Sequence, residues 1–394
     1  MGNLLSCERR ASRSSASLLD ADDVALWWGR LQDPGVGGAD TSRTHRAKRH
    51  QDIMQRGGFE LGMAEAITFL EQNAVLGKTK DLYRLFTAIF LSFCDVMLLP
   101  LDGAAQVDSA LVQFMQMAFE CGEDISYGQT TLAAFCDAYV EYGKGGPLFS
   151  HLPRTRRALR AWRRIDPPAS RLPYGWTIVA GLCVLARLLF GEAEAVCMAS
   201  HFDVYARPQA WLAVRWGDVT DEMPGLPFIA VTMCPRELGK ASKTGKYDDT
   251  VLVGEGVRGR QSNRIAILRV LANYCRRHRG HPEARVFPFE YPHYLHVWKT
   301  AGELLGLEGK GECTPYQGRH GGASQDAADG AEMVHIQRRG GWAQIESVRR
   351  YEKRGRLQEM LGRLSEQQRR FCYECESRFE EFMEHPHRAP ALPH

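Results

Sequence analysis

A chain of 394 residues that is 44% hydrophobic is longer than one ordinary domain and can bury two separate cores. Its 50 Lys+Arg against 47 Asp+Glu leave a net charge of +3, which is compatible with a nucleic-acid partner without demanding one. Eleven cysteines would suit a disulfide-bonded secreted protein, but no stretch near the start has the basic, apolar, small-residue order of a signal peptide, so reduced thiols in an intracellular compartment are expected.

In chain order, the first fifty residues are rich in Ser, Gly, Arg and Asp, with a basic cluster at Arg43, Arg46, Lys48 and Arg49 and no sustained apolar period. Residues 1–55 are therefore expected to be disordered. Met1-Gly2-Asn3-Leu4-Leu5-Ser6-Cys7 fits the myristoylation pattern with a palmitoylatable cysteine beside it. An ordinary start reads the same way, and a membrane partner is expected only if Gly2 is acylated.

Residues 60–165 carry helical periodicity and are expected to form a helical domain. Leu82, Leu85, Phe86, Ile89, Phe90 and Phe93 make an apolar stripe behind the N-cap candidate Thr79. A second helix follows Asp108, with Leu111, Met115, Ala118 and Phe119 on one face and Gly122 as its stop. A third spans Thr130 to Tyr142, ended by Gly143, Gly145, Gly146 and Pro147. The next stretch holds Arg154, Arg156, Arg157, Arg160, Arg163 and Arg164 with Trp162 among them and no acid before Asp166. It reads as a strip of phosphate contacts or as a solvated helix face. Residues 166–173, with three prolines, break any helix and read as a linker.

Residues 172–365 are expected to form the second domain. Its first helix, Trp176 to Phe190, is the longest apolar run, yet it is shorter than the roughly 20 residues of a membrane span and carries Arg187, so it reads as a buried helix. A helix from Glu194 to about Tyr205, strands Phe228–Met233 and Asp249–Val253 joined by a Lys/Gly-rich turn, and helices over 264–277, 294–305 and beyond Tyr316 complete a mainly α fold with a small antiparallel sheet. Residues 366–394 read as a tail, disordered from His385. Cys372 and Cys375 with His385 and His387 lack C2H2 zinc spacing, and no metal is expected.

Three C-terminal blocks carry the chemistry: Thr314-Pro315-Tyr316-Gln317-Gly318-Arg319-His320, then Arg338-Arg339-Gly340-Gly341-Trp342, then Ser347-Val348-Arg349-Arg350-Tyr351, with Trp342 and Tyr351 nine residues apart. Upstream stand Tyr205-Ala206-Arg207-Pro208-Gln209-Ala210-Trp211-Leu212 and, between the two strands, Ser242-Lys243-Thr244-Gly245-Lys246. Together these blocks resemble the catalytic signature of the tyrosine recombinases, the phage integrase-like DNA breaking-rejoining enzymes. The resemblance runs from about Arg171 to Arg356, and the helical domain sits where that family keeps its core-binding domain.

The resemblance implies Tyr351 as the nucleophile that forms a 3′-phosphotyrosine, Arg207 and Arg319 as guanidinium forks on the scissile phosphate, and Lys243 as the acid that protonates the leaving 5′-oxygen, with Lys240 and Lys246 as rivals. Trp342 would pack on the phosphate or donate its indole N–H, and His320 would support or relay a proton. Two positions depart from the pattern: Tyr316 stands where a histidine is usual, and Ala210 where an acid is usual. The implied activity is site-specific recombination without metal, ATP or cofactor, on double-stranded DNA, by a homo-oligomer that is a synaptic tetramer by analogy, in the nucleus if the host is eukaryotic and otherwise in the cytoplasm or nucleoid. A catalytically silent DNA-binding descendant and a type IB topoisomerase-like relaxing activity are the alternatives.

Overall fold

The computed structural model describes residues 77–167, 172–225, 228–239, 247–254, 262–307, 313–351 and 353–392. The acylation pattern, the N-terminal segment and the hairpin lysines Lys240, Lys243 and Lys246 lie outside the described residues. The chain divides into two compact units, 1–168 and 169–394.

In the first unit, four helices follow one another: α1 (Gly77–Val96), α2 (Ala104–Glu120), α3 (Ile125–Ala138) and α4 (Pro153–Ile165). Their shared core is aromatic. Phe90 meets Phe114 and Phe135 edge-on, each at 5.6 Å, a packing geometry that adds to the area each ring buries. Thr79 lies inside α1 and not ahead of it, and the α1 stripe is only partly core: Phe90 is buried, while Leu85 is 55% exposed. The third helix starts earlier than its apolar pattern suggested, because Asp124 caps it by accepting the Ser126 N–H at 2.7 Å. It also ends earlier, at Ala138, with a 3₁₀ turn over Val140–Tyr142.

Asp108 does not start a helix either. It is buried inside the first turns of α2, and its carboxylate accepts the Arg154 N–H at 3.0 Å, the Thr155 N–H at 2.8 Å and the Thr155 hydroxyl at 2.7 Å. It thus caps α4 from a neighbouring helix, meeting two of the donors that a helix N-terminus leaves open. One face of α4 is then held inward by Thr155 and by Trp162, whose ring lies edge-on to Phe119 at 5.5 Å.

The second unit is built around two helices that are apolar or buried on every side, α5 (Trp176–Leu189) and α6 (Glu192–Val204). Such helices belong in the middle of a fold. A short helix α7 (Pro208–Leu212) leads to an antiparallel sheet in the order β1 (Val219–Thr220), β2 (Ile229–Met233), β3 (Asp249–Val253), with Val231 opposite Val219 on one side and Val251 on the other. Helices α8 (Ser262–His278), α9 (Tyr291–Leu304), α10 (Pro315–Ala328), α11 (Met333–Arg339), α12 (Ile345–Arg349) and α13 (Arg354–Gly362) follow.

Residues from 366 onward are not a solvated tail. They form α14 (Glu366–Ser377) and α15 (Phe379–Glu384), and Phe371, Cys372, Cys375, Phe379, Phe382 and Met383 are all buried in the same core as α5. A Cβ at Gly181 of α5 would stand 3.0 Å from the Cys372 Sγ, so Gly181 lets α14 seat closely. Burial pushes the Cys372 thiol up to about 12, which suits an apolar core residue better than a metal ligand. Beyond His385 a 3₁₀ turn at Pro386–Arg388 and Ala389 remain against the unit. No described helix is long and apolar enough to cross a membrane.

Candidate active site

Helix α10 supplies the centre of the site. Thr314 and Gln317 form a capping box and Pro315 opens the first turn, so the sequence fixes where this helix begins. Three glycines then let it press into the core. A Cβ at Gly318 would meet the Trp298 ring at 2.8 Å, and Cβ atoms at Gly321 and Gly322 would collide with the carbonyl oxygens of Tyr174 and Phe202. The close approach to α6 that results carries Arg319 inside, where it is 1% exposed.

A buried guanidinium must find acceptors. Arg319 donates to the carbonyl oxygen of Tyr205 and, at 3.0 Å, to that of Gly340, while its Nε–H has no partner among the described residues. Burial, together with the neighbouring Arg207 cation, lowers its pKa to about 10 against the upward pull of Tyr351 and Tyr316, so it remains a cation at neutral pH. Two carbonyls carry only partial charge, so a full anion placed here would meet an uncompensated cation.

Tyr351 is half-buried beside that cation. Its ring stacks on His320 at 4.4 Å, tilts against Trp342 at 4.9 Å and lies 5.2 Å from the Arg319 guanidinium carbon. The backbone that presents it hangs from α10: the Ser324 hydroxyl donates to the Tyr351 carbonyl at 2.9 Å and accepts the Lys353 N–H at 2.8 Å. Trp342 in turn covers Arg319, with 4.3 Å from ring centre to guanidinium. The Gly340-Gly341 pair makes that possible, since a Cβ at Gly340 would collide with the Trp342 ring and Gly341 is left-handed at φ +62°.

Arg207 enters from the other side. The chain leaves α6 through Tyr205 in a left-handed conformation, φ 33° and ψ 42°, and Arg207 is the extended residue before α7. His201 fixes this turn: burial lowers its pKa to about 4, and the neutral ring donates Nε2–H to the Ala206 carbonyl at 2.9 Å while its Nδ1 faces the Tyr294 hydroxyl at 3.1 Å. Among the described residues Arg207 has no hydrogen-bonding or ionic partner, yet it is near enough to Arg319 to depress that group's pKa. The two guanidinium groups are thus near enough for their charges to interact.

Of the other residues singled out from the sequence, Tyr316 is half-buried in the first turn of α10, its phenol close enough to Arg319 to act on its pKa. Ala210 is half-buried in α7 and packs against the core. The six arginines of α4 lie in the first unit. Arg154, Arg157, Arg160, Arg163 and Arg164 are exposed and have no acidic partner among the described residues, while Arg156 donates to the Phe149 carbonyl and sits 3.9 Å over its ring.

Sequence reasoning missed the buried polar groups beneath the site. Asp203, Tyr205, Arg264, Asp326 and Arg339 form one connected set: Arg264 bridges Asp203 and Asp326, Arg339 reaches Asp203 Oδ2 at 2.8 Å, and the Tyr205 hydroxyl donates to Asp326 at 3.1 Å. Burial lowers the Arg264 pKa, the Asp203 carboxylate opposing it. Ser324 was missed as well. The available signal was Asp203 standing between Phe202 and Val204 in the otherwise weakly charged second half of α6.

No protein-family model matches this chain, and no curated protein matches it in sequence. Solved structures do match. A lambda integrase dimer bound to a COC′ core site is 13% identical, the match covering 85% of this chain and 87% of that one with a TM-score of 0.50. The chain has a tyrosine recombinase-like fold. The XerH site-specific recombinase bound to its difH substrate matches over 62% of this chain at 10% identity and a TM-score of 0.42, and the present chain spans 66% of its length. XerA recombinase matches over 75% of this chain and 94% of that one, at 14% identity and a TM-score of 0.35. Within this fold, α10, the α11–α12 connection and the α6–α7 turn are the segments that bring Arg319, Trp342, Tyr351 and Arg207 together.

Proposed function

We propose that this chain cleaves and rejoins DNA strands through Tyr351, and that it acts on paired double-stranded sites as a homo-oligomer. The observation that carries the reading is the Tyr351 ring packed on His320 and Trp342, 5.2 Å from a buried Arg319. A phosphodiester seated there would put its nonbridging oxygens against Arg319 and Arg207, which stabilise the charge gathered as the tyrosine oxygen attacks phosphorus. The phenol proton passes to His320, the P–O bond to the 5′-oxygen breaks as that oxygen takes a proton from the acid, and a 3′-phosphotyrosine forms. Because the new ester keeps the energy of the broken one, rejoining to a 5′-hydroxyl needs neither ATP nor a further cofactor. Lys243 is the proposed proton donor, from the segment between β2 and β3 in sequence. The α4 arginines would hold phosphates away from the reacting one.

Tyr316 and Ala210 favour a second reading, a silent DNA-binding descendant, because a tyrosine is a poor base at neutral pH and Ala210 can orient nothing. One experiment separates the two. Full-length protein and Tyr351→Phe are incubated with random-sequence nicked duplexes, and covalent adducts are mapped by mass spectrometry. The expected result is an adduct on Tyr351 that the variant lacks. Salt-dependent binding by both proteins with no adduct from either, and cleavage that appears only in Ala210→Glu/Tyr316→His, would establish the silent descendant. A monomer that relaxes supercoils without recombinant product would instead identify a topoisomerase-like activity.

A further inference from the structure

Arg319 owes its position to two backbone carbonyls, Tyr205 O and Gly340 O, that belong to segments far apart in sequence. Neither segment is regular there. Tyr205 is left-handed at φ 33°, and Gly340 follows the last residue of α11. Something must keep both carbonyls in place, because a guanidinium held by partial charges follows wherever they move.

The structure points to one carboxylate. Asp203, two residues before Tyr205, is fully buried, and its Oδ2 accepts Arg339 NH2 at 2.8 Å and the Gly254 N–H at 3.1 Å. Its backbone carbonyl accepts Arg339 Nε–H at 3.1 Å as well. Arg339 is the residue directly before Gly340, so this fork ties the two carbonyl-bearing segments to each other. The far side of Asp203 is held by Arg264, which also bonds Asp326, and Asp326 accepts the Tyr205 hydroxyl at 3.1 Å. Two carboxylates and two guanidiniums balance inside the core. Burying such a set costs desolvation that well-packed apolar side chains would avoid, so stability alone is a weak reason for it.

We infer that Asp203 and Arg339 are positioning residues: they set the reach of Arg319 toward a bound phosphate by locking the Tyr205 and Gly340 carbonyls. The inference rests on the proposed phosphate-binding role of the site, and not on its turnover. It also assigns a carboxylate to the support of Arg319 in a chain that has Ala210 where the resemblance leads one to expect an acid.

The test uses the full chain and inorganic phosphate as the probe. Titration is followed by the ¹H–¹⁵N signal of the Arg319 Nε–H, assigned by its loss in Arg319→Lys. Arg339→Leu removes the fork while leaving Asp203 paired with Arg264, and phosphate affinity is expected to fall about tenfold, the scale on which outer-shell partners act. Arg339→Lys, which keeps the charge opposite Asp203, should recover part of that loss. Should Arg339→Leu not fold, Tyr205→Phe removes only the hydroxyl bonded to Asp326 and carries the same comparison, with a smaller loss expected. A folded Arg339→Leu or Tyr205→Phe with native affinity and an unmoved Arg319 signal overturns the inference. A native chain that binds phosphate at Arg319 and never forms a DNA adduct sinks the strand-cleavage reading alone.

Discussion

Arg319 in α10 is 1% exposed and fixed between two carbonyls, whereas Arg157, Arg160, Arg163 and Arg164 of α4 project into solvent with no acidic partner among the described residues. The buried group has lost its rotamer freedom already, so a phosphate reaching it meets a preformed fork in a low-dielectric place. The exposed groups keep their freedom and their counterions, and each would contribute to a phosphate partner's affinity mainly by releasing ions. One arrangement suits a single phosphate whose position matters to within a fraction of an ångström. The other suits many phosphates, any of which can be given up.

The comparison is tested most severely at Arg319. Arg319→Lys keeps a positive charge and loses the fork that bonds Tyr205 and Gly340 and that would hold the proposed phosphate. The rate of Tyr351 adduct formation is expected to fall by about 10²- to 10³-fold, the loss seen when one preorganised donor to a developing oxyanion is removed. Binding to long duplex should change little, as read by titration at fixed salt. A lysine variant that reacts as fast as the native chain would mean that charge alone suffices, and the distinction between the two arginine sets would collapse.

How far this was legible in the sequence depended on the kind of residue. Arg207, Arg319, Trp342 and Tyr351 were singled out because their blocks resemble the tyrosine recombinase signature, and glycines at 318, 321, 322, 340 and 341 mark where α10 and the Trp342 turn press closely. The lattice under the site was not readable. Asp203 finds its partners 61 and 136 residues away, in Arg264 and Arg339, and nothing in a local window distinguishes such a pair from surface charges. The C-terminal helices were missed for the opposite reason. Phe371, Cys372, Cys375, Phe379, Phe382 and Met383 do fall at helical spacing, but the surrounding Glu and Arg made composition outweigh period.

An intermediate effect is expected at Asp108, which fixes the exposed set as Asp203 is argued to fix the buried one. Its carboxylate caps α4 through the Arg154 and Thr155 N–H groups. Asp108→Ala leaves those donors unmet and should cost about 1–2 kcal/mol. Hydrogen exchange across 153–165 in the full chain would show the loss as faster exchange in α4. Unchanged protection there would mean that Trp162 and Thr155 hold the helix without the cap.

The smallest effects belong to single exposed arginines. Arg160 has no acidic partner among the described residues, so Arg160→Ala removes nothing that holds α4 together, and stability should stay within about 0.5 kcal/mol of native. If the α4 strip contacts DNA, the slope of log affinity against log salt should drop by about 1 for this substitution, and about as much again for each of Arg157 and Arg163. The cleavage rate at saturating duplex should not move, because under the proposed function these residues would hold phosphates other than the reacting one. An unchanged slope in the Arg157/Arg160/Arg163 triple variant would make α4 a solvated helix face. In that case Arg319 and Arg207 would have to provide the DNA affinity together with exposed cations of the second unit such as Arg338, Arg349 and Arg350.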